Sequence, residues 1–186
     1  DESAGKRKVA CSGRLYIERD DFMEEPPKKF FRLGPDREVR LRAAFFLKCQ
    51  SFEKDDSGRV TRLRCTYDPE TIQQNPPDGR KVKGTIHWVS ADHAVDAEVR
   101  LYETLFAKEN PEDVADGEDF TVNLNPNSLT LDGNAKLEPT LQDALVEEAV
   151  QFERLGYFAA DPRTPLLFHR TVGLRDEWAN IQKRKK

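Results

Sequence analysis

Along most of the chain, apolar residues recur at every second position, the period of a strand with one buried face. The run "EVRLRAAFFLKCQSFEK" from Glu38 sets Val39, Leu41, Ala43, Phe45 and Leu47 on one side. Arg40, Arg42, Ala44, Phe46 and Lys48 fall on the other. "VDAEVRLYETLF" repeats the arrangement, with Val95, Ala97, Val99 and Leu101 opposing Asp96, Glu98, Arg100 and Tyr102. A helix would scatter both sets around its circumference, so each stretch is a predicted strand. "RLYIERDDF", "RVTRLRCTY", "VKGTIHWV" and "NPNSLTL" read the same way. "EAVQFERLGYFAAD" and "LLFHRTVGL" are predicted as a last strand pair joined by "PRTP". "DDSG" at Asp55–Gly58 predicts a hairpin turn, and the prolines of "EEPP" at Glu24–Pro27 predict a break. Helix is confined to "EPTLQDAL", with Thr140 as N-cap and Asp143 three residues on, and to "RDEWAN" near the end.

Many short strands with one or two short helices predict an all-β protein built from small antiparallel barrels. The breaks at Pro26–Pro27 and Asn125–Asn127 suggest a middle module between two outer pieces, and no internal repeat is found.

Composition sharpens this. The 186 residues suit one large domain or two small ones. Only 37% are hydrophobic, 34% are charged and mean hydropathy is −0.76, which points to thin cores and much surface. Eleven phenylalanines argue against disorder. No apolar run approaches the roughly 20 residues that span a bilayer, so no membrane role is expected. The start, "DESAGKRKVA", carries neither Met nor an apolar signal region, as in a fragment or processed chain. Cys11, Cys49 and Cys65 are odd in number and lack metal-binding spacing. They read as buried or half-buried thiols in a reducing compartment, the cytoplasm by default.

The formal net charge of −4 hides opposite patches. Between Lys28 and Arg42, "KKFFRLGPDREVRLR" sets Lys28, Lys29, Arg32, Arg37, Arg40 and Arg42 against only Asp36 and Glu38. Arg40 and Arg42, two apart, share a face if this is strand. Residues 103–119 are as strongly acidic, with Glu103, Glu109, Glu112, Asp113, Asp116, Glu118 and Asp119 against Lys108.

No catalytic pattern emerges. The ten glycines are scattered at turns rather than gathered into a phosphate-cradling loop. His87, His93 and His169 lack ligand spacing with the cysteines and read as ordinary strand or turn residues, so no metal is expected. Arg, Lys, Gln and aromatic residues interleaved on a rigid sheet instead suit single-stranded RNA, whose unpaired bases stack on planar groups and bond through their edges. "KKFFRL", "VRLR" and "QFERLGYF" supply that mixture, although Phe30, Phe31 and Phe152 also read as core.

Those stretches, together with "LYIERDDF", "DGRKVKGTIHWV", "EVRLYETLF", "NPNSL" and "HRTVGLRDEWA", resemble in order the C-terminal anticodon-binding region of bacterial glutaminyl-tRNA synthetases. The resemblance runs from about Leu15 to Trp178. It implies two β-barrels, a proximal one of residues 1–26 and 126–186 and a distal one, 27–125, inserted into it. A further proximal strand is implied before residue 1. The implied partner is the anticodon loop of glutamine tRNA, with its bases splayed into separate pockets; no DNA partner is implied, and a monomer is expected.

By the same resemblance, Arg40 meets the first anticodon base, Gln151 reads the central uracil, and Arg32 and Arg154 read the third base. Lys28, Lys29 and Arg42 supply charge to the RNA backbone, and the acidic loop 108–119 lies away from it. Phe30 and Phe31 stand where a tyrosine and a lysine are expected, so a basic contact to the first base is missing or comes from Lys29. His169 stands in place of an expected Asn. The ATP-site motifs of the catalytic domain do not occur in the sequence, so no cofactor is expected here. ATP and Mg would serve the catalytic domain of an intact glutamine–tRNA ligase. The rival readings are the same barrels in an archaeal or eukaryotic-type glutamyl-tRNA synthetase, a free-standing ribosomal RNA-binding barrel, and a protein-interaction module.

Overall fold

A computed structural model describes residues 5, 7–143 and 149–174, and every statement below concerns these. Eleven strands carry the fold: β1 (Leu15–Tyr16), β2 (Glu38–Leu41), β3 (Phe46–Lys54), β4 (Val60–Asp68), β5 (Thr85–Ile86), β6 (Val89–Ser90), β7 (Val95–Tyr102), β8 (Leu129–Leu137), β9 (Ala149–Phe152), β10 (Gly156–Ala160) and β11 (Leu167–Gly173). The all-β expectation holds. Helical turns among the described residues are short and of the 3-10 type, at Arg19–Asp21, Pro69–Thr71, Phe120–Asn123 and Pro139–Asp143. Of the short helix expected at "EPTLQDAL", Pro139–Asp143 form a 3-10 turn with Thr140 inside it rather than capping it, and 144–145 lie outside the described residues. The helix expected at "RDEWAN" lies outside the described residues. No described helix is long and apolar enough to cross a membrane.

The chain divides into two compact units, Asp1–Asp92 and His93–Lys186. In the first, the sheet order is β4-β3-β2-β5, and β1 pairs with β6 as a separate ribbon. In the second, the order is β8-β7-β11-β10-β9. Each main sheet contains one parallel pair, β2 with β5 and β7 with β11, so neither is purely antiparallel. The parallel pairs join strands far apart in sequence, as they must, because only antiparallel neighbours can be linked by a tight hairpin.

Two cores follow. Leu33, Val39, Leu41, Ala44, Cys49, Ile86 and Trp88 fill the first; Ala97, Val99, Leu137, Phe158 and Phe168 fill the second. At about 25 cal/mol per Å² of apolar surface buried, cores this small stabilise each unit only modestly. Hydrogen bonds therefore matter at the joints. The buried Thr71 hydroxyl donates to the Asp68 carbonyl at 2.6 Å and accepts from the Phe46 N–H at 2.8 Å, tying β3 to the turn after β4. Trp88 Nε1–H donates to the Arg42 carbonyl at 3.0 Å.

Three strand expectations need correction. "EVRLRAAFFLKCQSFEK" is a hairpin, β2 then β3, not one strand. Ala43 takes a φ of +54° and the Ala44 N–H donates to the Leu41 carbonyl at 3.0 Å. The turn reverses the inside–outside phase, so Val39 and Leu41 are buried before it while Ala44 and Phe46 are buried after it. "EAVQFERLGYFAAD" likewise folds into β9 and β10 around Glu153–Leu155, with Arg154 at φ +66°. "VKGTIHWV" breaks into β5 and β6. The "DDSG" hairpin appears as expected, its Asp55 carboxylate accepting from the Ser57 and Arg59 N–H groups.

The cysteines are free thiols. Cys49 is buried and Cys65 half-buried, but Cys11 is exposed, contrary to expectation. Cys49 and Cys65, apart in sequence, face each other across β3 and β4. Burial raises both thiols, Cys65 to about 12, so neither is a thiolate at neutral pH.

Candidate nucleic-acid interface

In the first unit the basic stretch does not lie along one strand. Residues 26–33 form an irregular segment before β2, and Arg37 clamps it. Its Nη1–H donates to the Phe30 carbonyl at 2.6 Å, and Nη2–H donates to the carbonyls of Pro26 and Pro27 at 2.7 and 3.3 Å. One of the six cations that make the stretch basic is thus spent on internal carbonyls. Arg32 is anchored too. Its Nη1–H donates to the Asp20 carbonyl at 3.1 Å, and Nε lies 3.5 Å from the fully buried Asp21 carboxylate. Its side chain is 13% exposed.

Arg40 leaves β2 over the ring of buried Phe46, 4.3 Å from the centroid. Nη2–H donates to the Gln74 carbonyl at 3.1 Å and to Asn75 Oδ1 at 2.9 Å. The loop that offers these acceptors is pinned by Arg80. That guanidinium makes a two-pronged bond to Glu38 at 2.9 Å on each prong, and reaches Asp68 at 2.5 Å and Asp78 at 2.7 Å. The Glu38 hydrogen bonds, then those to Asp68 and Asp78, raise Arg80 above its ordinary value, so it is charged at every working pH. Its guanidinium also lies 5.7 Å from the Phe46 centroid. Arg40 is therefore held by a ring beneath it and carbonyl and amide oxygens beside it, which fixes its planar fork.

Lys28, Lys29 and Arg42 are exposed. Arg42 does not share a strand face with Arg40, because β2 ends at Leu41 and Arg42 enters the turn. Phe30 and Phe31 part ways: Phe30 is 2% exposed, whereas Phe31 is 51% exposed, with Lys83 Nζ 5.3 Å from its ring centroid.

In the second unit, Gln151 is exposed on β9 opposite Tyr157 of β10, and Arg154 sits three residues on at the hairpin turn, half-buried. Phe152 between them is core: its ring stacks on Phe158 at 4.3 Å and leans on Phe168 at 5.6 Å. Just after the turn β10 lies close against β11, where a Cβ on Gly156 would stand 2.4 Å from the Val172 carbonyl oxygen. His169 joins two elements, its Nδ1 2.7 Å from the Tyr102 hydroxyl and its Nε2 2.9 Å from Asp161 Oδ2. That hydrogen bond, with the Arg163 N–H next, holds the Asp161 carboxyl well below the usual carboxylate range. The acidic loop 108–119 is held by Asn123, whose side-chain amide donates to the carbonyls of Pro111 and Asp113.

The structure thus gathers Lys28, Lys29, Arg32, Arg40 and Arg42 in the first unit, and Gln151 and Arg154 in the second. Sequence reasoning did not find Gln74 and Asn75, which hold Arg40, Arg80, which pins their loop, or Lys83, which reaches Phe31. Only the separate exposure of the two phenylalanines was open to pattern, since adjacent side chains of an extended segment point apart. No cluster of described residues is arranged to hold a metal ion.

The described residues thus form two β units with a partly braced basic surface on the first, and the comparisons give their class, that of the aminoacyl-tRNA synthetases. Residues 1–68 and 85–161 each match a family model described as the anti-codon binding domain of class I tRNA synthetases (E and Q). The chain belongs to that family. It is 52% identical over 183 residues, 96% of its length, to a glutamine–tRNA ligase of Bradyrhizobium diazoefficiens. It is 55% identical over 185 residues, 97% of its length, to the ligase of Nitrobacter hamburgensis, and 52% identical over 182 residues, 96%, to that of Vibrio vulnificus. In each case the chain spans about a third of the relative, 32% of its length.

Proposed function

We propose that this chain reads the anticodon loop of glutamine tRNA, as the recognition part of a glutamine–tRNA ligase that joins glutamine to its tRNA in the cytoplasm. The likeness of nearly the whole chain to glutamine–tRNA ligases, at 52–55% identity, carries this reading. ATP and Mg belong to the catalytic part of such an enzyme and need no site here. The protein acts as a monomer with no DNA partner.

In this reading Arg40 meets the first anticodon base with a fork already fixed by Phe46, Gln74 and Asn75. Gln151 reads the central uracil: its amide offers both a donor and an acceptor, matching an edge that presents both. Arg32 and Arg154 read the third base, where guanine presents acceptors. Lys28, Lys29 and Arg42 meet phosphates, for which a mobile exposed cation suffices. The nested division, with 27–125 inserted between 1–26 and 126–186, belongs to the same reading. It concerns which strands complete each barrel, whereas the two compact units reflect where contacts are densest.

The test is a titration of the protein with glutamine tRNA and with the same tRNA changed at the central base, at two salt concentrations. Tighter binding of the native anticodon, weakening as salt rises, is the expected result. Equal affinity for both RNAs would remove base reading from these residues.

A further inference from the structure

Phe31 stands out among the exposed aromatic residues. Exposed Phe120 leans on Phe106, exposed Tyr67 on Phe45, and exposed Tyr102 on His169, while Tyr16 and Tyr157 are exposed with a hydroxyl to turn to water. Phe31, 51% exposed, instead has a cation over its ring, the Lys83 ammonium. Single exposed apolar side chains are ordinary on protein surfaces, so exposure alone means little. Two further observations separate this one.

First, the backbone that carries Phe31 is fixed on every side. Arg37 bonds the carbonyls of Pro26, Pro27 and Phe30 just before it. Just after it, the Leu33 N–H donates to the Asp21 carbonyl and the Met23 N–H to that of Leu33, whose side chain is fully buried. Behind it, Gly84 packs so closely that an added Cβ would lie 2.3 Å from the Phe31 carbonyl oxygen. The neighbouring Phe30 is sunk in the protein. The segment therefore presents one ring outward from a rigid mount, and a residue with two rotatable bonds loses little entropy on being covered.

Second, the two segments next to the ring are rich in lysine. Lys28 and Lys29 precede the ring in sequence, Lys81 and Lys83 precede Gly84 on the segment behind it, and all four are exposed. No acidic residue occurs in 28–35 or 79–91. A fixed, half-open ring among lysines suits a ligand with a flat aromatic face and a phosphate attached, which is the chemistry of an unpaired nucleotide.

We propose that Phe31 is a stacking platform for one unpaired base of the bound RNA, with Lys83 meeting the phosphate or carbonyl oxygens of that nucleotide. This rests on the RNA-binding reading above and adds a contact made by the face of a base rather than its edge. Stacking is tolerant of base identity, so the platform contributes affinity and splays the loop, while discrimination is left to groups that bond edges.

The experiment uses a synthetic anticodon stem–loop of glutamine tRNA carrying 2-aminopurine at one loop position at a time. Stacking on a ring quenches this base, so one position is expected to lose fluorescence on binding the wild-type protein. Phe31→Tyr keeps that quench, and Phe31→Leu abolishes it with a loss of affinity of roughly 5- to 150-fold. Lys83→Gln weakens binding and its salt dependence but leaves the quench in place. Salt-dependent binding by the wild type with no position dependent on the Phe31 ring would overturn the platform and spare the RNA-binding reading. Absence of any binding would overturn both. The wild-type quench requires no variant to fold, and thermal melting of Phe31→Leu separates lost stacking from lost structure.

Discussion

Replacing Arg40 separates a base reader from a mere positive charge. Its guanidinium makes two hydrogen bonds, at 3.1 and 2.9 Å, and covers the Phe46 ring at 4.3 Å. Net hydrogen bonds contribute about 1 kcal/mol each, and an exposed cation over a ring about 0.5–1 kcal/mol. Arg40→Ala should thus cost about 2–3 kcal/mol if all three contacts count fully, which lowers the melting temperature of a unit this size by roughly 10–20 °C. Arg40→Lys keeps the stem over Phe46 and the charge but not the planar fork. A well-made two-pronged contact to a base discriminates by about 1–3 kcal/mol, or roughly 5- to 150-fold. Arg40→Lys is therefore expected to lose that factor between the native first base and its alternatives, while retaining the salt dependence of binding and most of the stability. Filter binding against tRNAs varied at the first anticodon base reads the factor directly, with calorimetry as the control for folding. If Arg40→Lys keeps full discrimination, or if the alanine variant loses affinity equally for every first base, Arg40 is only a source of charge.

Other consequences are open to direct measurement. Gln151→Ala should relax selection for the central uracil without lowering the melting temperature, because the side chain is exposed on β9; a collapse in melting would make Gln151 structural. Arg80→Ala leaves Glu38, Asp68 and Asp78 facing one another without their shared cation, so it should destabilise the first unit and also weaken first-base discrimination through the loop that holds Arg40. Discrimination unchanged in that variant would show that the loop needs no such anchor. Asp161 is depressed mainly by His169, so the folded carboxyl binds its proton at lower pH than the unfolded one. The resulting stability is present above the ordinary carboxylate range near pH 4 and is lost as pH falls through the folded value. Denaturation at a series of pH values should show a shallower acid limb for His169→Ala than for the wild type, and parallel limbs would dismiss the His169–Asp161 contact.

Much of the fold is legible in the alternation of apolar residues. Val95, Ala97, Val99 and Leu101 do line one face of β7, and Asp55–Gly58 does turn β3 into β4, since both depend on local pattern and local hydrogen bonds. The two hidden hairpins are another matter. At Ala43 and at Arg154 the chain takes positive φ with residues that rarely do so, and neither "RAAF" nor "FERL" carries a glycine or asparagine to announce a turn. Packing imposes these turns: burying both Leu41 and Phe46 requires the phase to reverse between them. The same tertiary causes hide the supports of Arg40, because Gln74, Asn75 and Arg80 lie far from it in sequence and share no spacing with it. The choice of Arg32, Arg40, Gln151 and Arg154 came from resemblance rather than from pattern.

The positive excess between Lys28 and Arg42 acquires a physical meaning once its members are separated. Arg37 lies against three carbonyls and Arg32 against Asp20 and Asp21, so these two act first as braces. Arg40 is fixed but still faces outward in part, and Lys28, Lys29 and Arg42 remain on the surface. The division follows side-chain chemistry. A guanidinium can bond backbone oxygens along one edge and keep a defined plane, which suits bracing a loop or reading a base. An ammonium on a flexible stem is strongly hydrated and tracks a phosphate without a fixed direction. Counting charge along the chain merges these roles: the carbonyls around Arg37 leave its charge in the long-range field but hold its fork, whereas the Asp21 carboxylate offsets the charge of Arg32 at a distance. More positive charge is added from elsewhere: Lys81 and Lys83 are carried to the Phe31 segment by the parallel pairing of β5 with β2. A basic surface assembled from 28–42 and 81–83 is therefore a product of the fold, and the RNA affinity proposed for it should fall with the β2–β5 pairing even when every lysine and arginine remains in the chain, as a titration of a pairing-disrupted variant would read.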